Sequence, residues 1–290
     1  MIDTQNIPLP EEDWTLIIQP QRHLLDLRLG ELWRYRDLIL LFVRRDFVAA
    51  YKQTILGPLW YLIQPLLTTL TFTFIFGRIA DLPTDGLPQF LFYMSGTVVW
   101  GYFAACLLKT SETFVSNAHL FGKVYFPRLA VPISVLISSL VTFLVQFAMF
   151  LGFTVWFALR GTDITPNWPW IALSPLLILI MAGLGLGFGV IVSSLTTKYR
   201  DLRFLVQFGV TLMMYATPVI YPVSSIPEQY QWIIQLNPMT PIIEAFRYAY
   251  LGAGTIYPGQ LLYSLGFMLV ALFFGSIIFN RVEQTFMDTV

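Results

Sequence analysis

The sequence predicts an all-α membrane protein. It should have six transmembrane helices, an N-terminal amphipathic interface helix, and two short re-entrant helices between spans five and six. Three observations predict this. Six apolar windows contain no Asp, Glu, Lys or Arg: Pro58–Phe76, Leu87–Leu108, Leu129–Leu159, Ile171–Leu195, Phe204–Pro222 and Pro258–Phe279. A membrane-spanning helix needs about 20 apolar residues, and each window is of that order. The 290 residues are 56% hydrophobic and only 12% charged, where a soluble domain carries ~25% charge. Finally, the basic residues cluster on one side of the windows, which sets an orientation.

If the N-terminus is cytoplasmic, fourteen of the seventeen Lys and Arg are cytoplasmic too. Seven precede the first span, three lie in the 109–128 loop, three in the 196–203 loop, and Arg281 is in the tail. Arg78, Arg160 and Arg247 are the outer three. The bias orients a multi-pass chain with both termini cytoplasmic. Met1–Asp13 is acidic and polar, without the basic start and apolar run of a cleaved signal, so the first span is expected to act as an uncleaved one.

The domains follow in order: 1–28 an N-terminal cytoplasmic segment, 29–56 the interfacial helix, 57–280 the six-span domain, and 281–290 a cytoplasmic tail. Within Leu29–Lys52, Leu29, Leu32, Ile39, Leu40, Val43, Phe47 and Ala50 share one side at 100° per residue, while Arg34, Asp37, Arg45 and Lys52 share another. Arg36 and Asp46 interrupt the pattern. A helix lying on the inner leaflet fits, with Trp33, Tyr35 and Tyr51 at the interface. The alternative is a helix packed on its own protein. Gly57-Pro58 ends it and opens span one. The third window exceeds one crossing and must tilt or project. In the fourth, Gly183, Gly185, Gly187 and Gly189 make two overlapping GxxxG spacings, a signal for close helix packing. Between spans five and six, prolines at 222, 227, 238, 241 and 258 divide an apolar stretch into two short helices, about Pro227–Leu236 and Pro241–Leu251. Neither can span, so each lies at the interface or dips in and returns.

Several kinds of chemistry are missing. No GxxxxGK[ST] occurs, and Gly122-Lys123-Val124 lacks both the first glycine and the Ser/Thr. His23 and His119 stand alone, so a metal site is not expected. The lone Cys106 excludes a disulfide framework. Net charge is zero, which makes no case for nucleic acid. Ion-coupled carriers keep ionisable groups within their spans, and these spans have none. Glu244 and Arg247, spaced i,i+3, can pair on one helix. The chain thus reads as a passive pathway driven by a partner docking on the basic loops. Ser116–Arg128 is helix-compatible, stopped by Pro127, and suited to a groove of a soluble ATPase.

Four strings resemble, in family order, the permeases of type-2 ABC exporters of polysaccharide and O-antigen. They are Arg44-Arg45-Asp46-Phe47 with Tyr51–Trp60 and Gln64-Pro65; Lys123–Arg128; Tyr199–Leu202 with Thr217–Tyr221; and Asn237–Pro241 with Glu244–Arg247. Pro241 stands where a small residue is usual. The resemblance covers about residues 30–280.

It implies a homodimer of six-span subunits, each with a cytoplasmic ABC ATPase subunit. ATP and Mg would be bound on that partner, with no cofactor in this chain. The cargo would be lipid-linked polysaccharide on an undecaprenyl diphosphate carrier, crossing the lipid bilayer. Asn117, Leu120, Lys123, Tyr125, Phe126 and Arg128 would form the ATPase-coupling loop. Arg44, Arg45 and Lys52 on the interface helix would meet the lipid diphosphate. Trp232, Asn237, Pro238, Glu244 and Arg247 would form the outer gate, with spans one and five at the lateral opening. The alternatives are a permease for teichoic acid, small lipids or drugs, or an integral-membrane enzyme of envelope synthesis.

Overall fold

The computed structural model describes residues 29–52, 54–121, 126–197, 199, 201–256 and 258–289, and these are helical without strands. Twelve α-helices follow in order: α1 Leu29–Arg34, α2 Arg36–Tyr51, α3 Trp60–Phe72, α4 Gln89–Ser111, α5 Thr113–Phe121, α6 Ala130–Leu159, α7 Trp168–Ala172, α8 Ser174–Thr196, α9 Leu202–Tyr215, α10 Glu228–Gln235, α11 Thr240–Leu251 and α12 Pro258–Thr289. Among the described residues, five segments are long and apolar enough to cross a membrane: Gly57–Ile79, Gln89–Ser111, Ala130–Leu159, Ser174–Thr196 and Gly259–Val282. A sixth apolar helix, α9, is shorter.

The long helices differ in how much neighbours cover them. The α4 window is 78% buried, that of α3 11%. Helix α4 is therefore the hub, packed against α8, α6, α3 and α11, while α3 turns most of its surface outward. Helix α8 lies between α4 and α12. Its glycines make this possible and divide the task. A side-chain carbon at Gly187 would lie 2.8 Å from the Ala271 backbone, and one at Gly183 would strike Met268, both on α12. At Gly189 it would meet Leu107 O at 2.9 Å, and at Gly185 Leu107 N at 3.1 Å, both on α4. Each GxxxG spacing serves one neighbour, the close approach such spacing permits.

Three expectations need correction. The fifth window, Phe204–Pro222, is not one helix. Helix α9 stops at Tyr215, and Thr217, Pro218, Val219 and Ile220 follow as buried non-helical backbone. Pro218 explains this, because proline disfavours helical geometry in the residue before it. At 1.5 Å per residue, fourteen residues reach about 21 Å, short of the ~30 Å core. The fourth window splits as well: Trp168–Ala172 forms α7, and α8 starts at Ser174. The interface helix breaks at Tyr35 and ends at Tyr51. It packs on α6 through Ile39 and Phe42, while Leu40, Leu41, Phe47 and Val48 stay exposed. Phe42 was not on the expected apolar side, and Leu40 and Phe47 were. The helix thus has two apolar sides, one on the protein and one facing out.

Elsewhere expectation and structure agree. Helix α6 runs 30 residues, about 45 Å, longer than one crossing. The first span extends through a π-helix, Thr73–Ile79, without breaking at Pro65. Two short helices, α10 and α11, occupy the expected outer stretch.

Candidate functional site

Helices α2 and α5 sit at one end of the bundle and α7, α10 and α11 at the other. The residues expected to be functional fall into these two groups.

At the first end, α5 is fixed to the ends of the long helices. Phe114 N donates to Ser193 Oγ of α8 at 3.2 Å, and Thr196 Oγ1 donates to Ser111 O of α4 at 3.3 Å. The Phe114 ring lies 4.9 Å from that of Phe279 on α12. Buried Phe42, Phe121, Phe126, Val190 and Phe279 share one apolar cluster. Across it runs a stack of charges and rings. Arg45 Cζ is 4.8 Å from the Phe42 ring, Phe42 is 5.6 Å from Phe126, Phe126 is 5.6 Å from Phe121, and Arg128 Cζ is 5.5 Å from Phe121. Cations over aromatic faces are attracted by the ring quadrupole.

The structure therefore joins the interface helix to the loop expected to couple. Asn117 is buried and donates to Thr113 O at 3.1 Å, and Leu120 is half-buried against the same cluster. Lys123 and Tyr125 lie outside the described residues. Arg44, Arg45 and Lys52 are all exposed, and Arg45 is paired with Asp46 at 2.8 Å.

At the other end, α10 and α11 contrast. Helix α10 buries no residue and exposes Trp232 and Ile233. Helix α11 is buried along most of its length, between α4, α7, α8 and α12. Its charged pair is buried with it. Arg247 is 1% exposed. Its Nη1 lies 3.3 Å from Glu244 Oε1, its Nη2 donates to Val219 O at 2.9 Å, and its Nε donates to Ser95 Oγ at 3.3 Å. Its Cζ is 3.7 Å from the Phe92 ring. Thr255 N donates to Glu244 Oε2 at 3.1 Å. Neither residue belongs to a long span.

Burial pushes the Glu244 carboxyl above its ordinary value, and the Arg247 charge and the Thr255 N–H oppose that push. Burial also lowers the Arg247 guanidinium, to about 10, so it stays charged at neutral pH. Val219 lies in the non-helical stretch left by the early end of α9, where backbone lacks helical partners. Arg247 supplies one, as buried carbonyls require. The pair thus holds the broken end of α9 against α4, which is a positioning task and not an acid–base one.

The turn between α10 and α11 is held similarly. Asn237 Nδ2 donates to Thr217 Oγ1 at 2.7 Å, and Met239 N donates to Asn237 Oδ1 at 3.0 Å. Ser264 Oγ of α12 donates to Pro238 O at 2.7 Å. Gly252, in the left-handed region at φ +78°, caps α11 beneath Thr165, where a side chain would clash. The i,i+3 spacing indicated the Glu244–Arg247 pair. Its partners Ser95, Phe92 and Val219 had no signal, because they come from remote segments. Among the described residues no group of three or more His, Cys, Asp or Glu could hold a metal.

Comparisons with known proteins agree with this architecture. The sequence pattern of the family described as "ABC-2 type transporter" matches residues 37–251. The "O-antigen export system permease protein RfbA" of Klebsiella pneumoniae is 29% identical over 254 residues, 87% of this chain and 94% of that protein. A Myxococcus xanthus protein of the same description is 26% identical over 265 residues, 90% of this chain and 98% of that one. The "Polysialic acid transport protein KpsM" of Escherichia coli is 28% identical over 251 residues, 84% of this chain and 93% of that one. These relatives are named as permease or transport proteins, which removes the envelope-synthesis enzyme as an alternative. The chain belongs to the ABC-2 type transporter family, as a permease and not an enzyme.

Proposed function

We propose that this chain is the membrane-spanning channel subunit of an ATP-driven exporter. The cargo is a polysaccharide of O-antigen type, built on an undecaprenyl diphosphate carrier. Two copies of the chain form the pathway in the cytoplasmic membrane, with both termini cytoplasmic. Each copy carries a cytoplasmic nucleotide-binding subunit, which holds ATP and Mg and docks beside α5. The observation that carries this reading is the near end-to-end likeness to O-antigen export permeases, over 94% of the length of one of them. The seat of α5 supports the docking role, because α5 touches α4 and its Phe114 meets Ser193 of α8 and Phe279 of α12, so a push on α5 reaches three long helices.

Six crossings fit the contacts. Thr196 lies beside Ser111 at one end of the bundle, and Ser224 Oγ bonds Asp85 Oδ1 at 2.6 Å near the other. The chain between them therefore runs from end to end, as α9 plus the non-helical 216–222. Irregular backbone is tolerated at membrane depth only where protein satisfies it, and Arg247 does so at Val219. Helices α10 and α11 form the re-entrant outer closure, with Asn237 and Pro238 at its turn and Trp232 exposed on α10. The exposed Arg44 and Lys52 meet the diphosphate.

The test is reconstitution of the permease with its ATPase in vesicles supplied with the lipid-linked glycan of the host. Export that depends on both subunits, with ATPase activity altered by the permease, is expected. No glycan movement, together with ATPase activity indifferent to the permease, would refute the proposal.

A further inference from the structure

Between α3, α4 and α6 lies a cavity of about 420 Å³, near the end that carries α2 and α5. That volume falls in the range of small-ligand clefts, about 300–1,000 Å³. Its lining is unusual for apolar spans. Gln64, Thr142, Gln146 and Ser139 contribute amides and hydroxyls, and Tyr61 and Tyr102 contribute aromatic rings. Ser139 is 1% exposed, and its hydroxyl is turned to the Cys106 thiol within the wall. Side-chain amides such as those of Gln64 and Gln146 are costly to leave unpaired away from water, so the place calls for a polar occupant.

The lining also selects among polar occupants. No carboxylate lines the cavity, and Lys109, at its exposed rim, is the one cation there. A phosphate is recognised by several charge-assisted donors or by a free helix N-terminus, and neither is built here. Mid-helix backbone N–H groups are already bonded within their helices. Neutral amides that can both donate and accept, beside aromatic rings, suit a neutral ligand dense in hydroxyls.

We propose that this cavity within each subunit is a subsite for one or two neutral sugar units, with Gln64 and Gln146 hydrogen-bonding their hydroxyls. The proposal rests on the polysaccharide reading above and adds where in the subunit the glycan is held. Transient hydrogen bonds along a membrane-depth wall would let hydroxyls leave water without losing all their partners.

The test uses the permease–ATPase complex in lipid nanodiscs, with Gln146→Cys and a charged, water-soluble methanethiosulfonate. Native Cys106 is fully buried and serves as the unreactive background. Modification of Gln146→Cys is expected, slowed about threefold by maltotriose or chitotriose at twice the dissociation constant. Inorganic diphosphate should not slow it. An unreactive cysteine, no protection by either sugar, or protection by diphosphate alone would each overturn the proposal.

A second measurement reads export. Gln64→Leu with Gln146→Leu keeps helix propensity and makes the spans more apolar, so folding is not threatened. With two neutral hydrogen bonds lost, glycan movement should slow about tenfold or more. Export equal to the unaltered protein would sink the subsite alone. If the unaltered protein moves no glycan, the functional reading falls instead, while sugar protection of Gln146→Cys still reports on the cavity.

Discussion

Replacing Arg247 by Met tests the buried network at the end that carries α10 and α11. Arg247 is 1% exposed and serves Glu244, Val219 O and Ser95 Oγ, with the Phe92 ring against it. Met keeps much of the volume and removes every donor. Glu244 is then left buried with the Thr255 N–H and no cation, and Val219 O loses its partner. Breaking one side of a buried ion pair costs about 3–5 kcal/mol, most of it from the stranded charge. Because both groups are buried, solvent screening offers little relief. The double replacement Glu244→Leu with Arg247→Met removes the stranded charge. It should therefore be less damaging than the sum of the two single changes, by about 1–3 kcal/mol. Reversible unfolding in mixed detergent–SDS micelles, run on all four proteins, measures this coupling. Additive single effects, or an Arg247→Met protein as stable as the parent, would refute the reasoning.

Three further outcomes follow from other parts of the fold. Gly187→Leu forces a side chain into the Ala271 backbone and should cost about 1–3 kcal/mol or more, read as lost monodisperse protein, whereas Gly266→Leu, with nothing within 4 Å, should be neutral. Phe126→Ala empties the centre of the cluster beside α5, at a cost of about 3 kcal/mol, and, if the proposed docking holds, should weaken the dependence of ATPase activity on the permease; unchanged dependence would remove that ring from transmission. Asn237→Ala leaves Met239 N without its partner and removes the donor to Thr217 Oγ1, which keeps its bond to Met213 O, and should cost about 1–3 kcal/mol, measured by the same unfolding assay.

The spans were legible because uncharged apolar length is nearly sufficient for a membrane helix. The short outer helices were legible because proline punctuates them. The end of α9 at Tyr215 was not, although Thr217-Pro218 was in view. An uncharged window hides a break, and Pro65 shows that proline can also sit inside a continuing helix. The interface helix misled for a different reason. Periodicity finds an apolar side but not its partner, and here Phe42 found Phe126 and Arg45. In the candidate site, spacing revealed Glu244 and Arg247 as a pair and nothing more. That they are buried, and that Arg247 holds Val219 O, depends on a contact 28 residues away in the chain. The cavity lined by Gln64, Ser139 and Gln146 was hidden for the same reason, since three spans contribute to it.

The alternating glycines of α8 bear on how this protein can move. With α4 and α12 packed against its backbone on two sides, α8 meets both at glycines where it approaches them most closely. Tight packing of this kind is bistable rather than compliant, so the three helices shift as a slab. Helix α3, with 11% of its window covered, and the short α9 lack such clamps. Shear between the slab and these two flanking helices is then the low-cost motion. Any opening of the subunit will run along that seam, beside the polar cavity, and not through the α4–α8–α12 block.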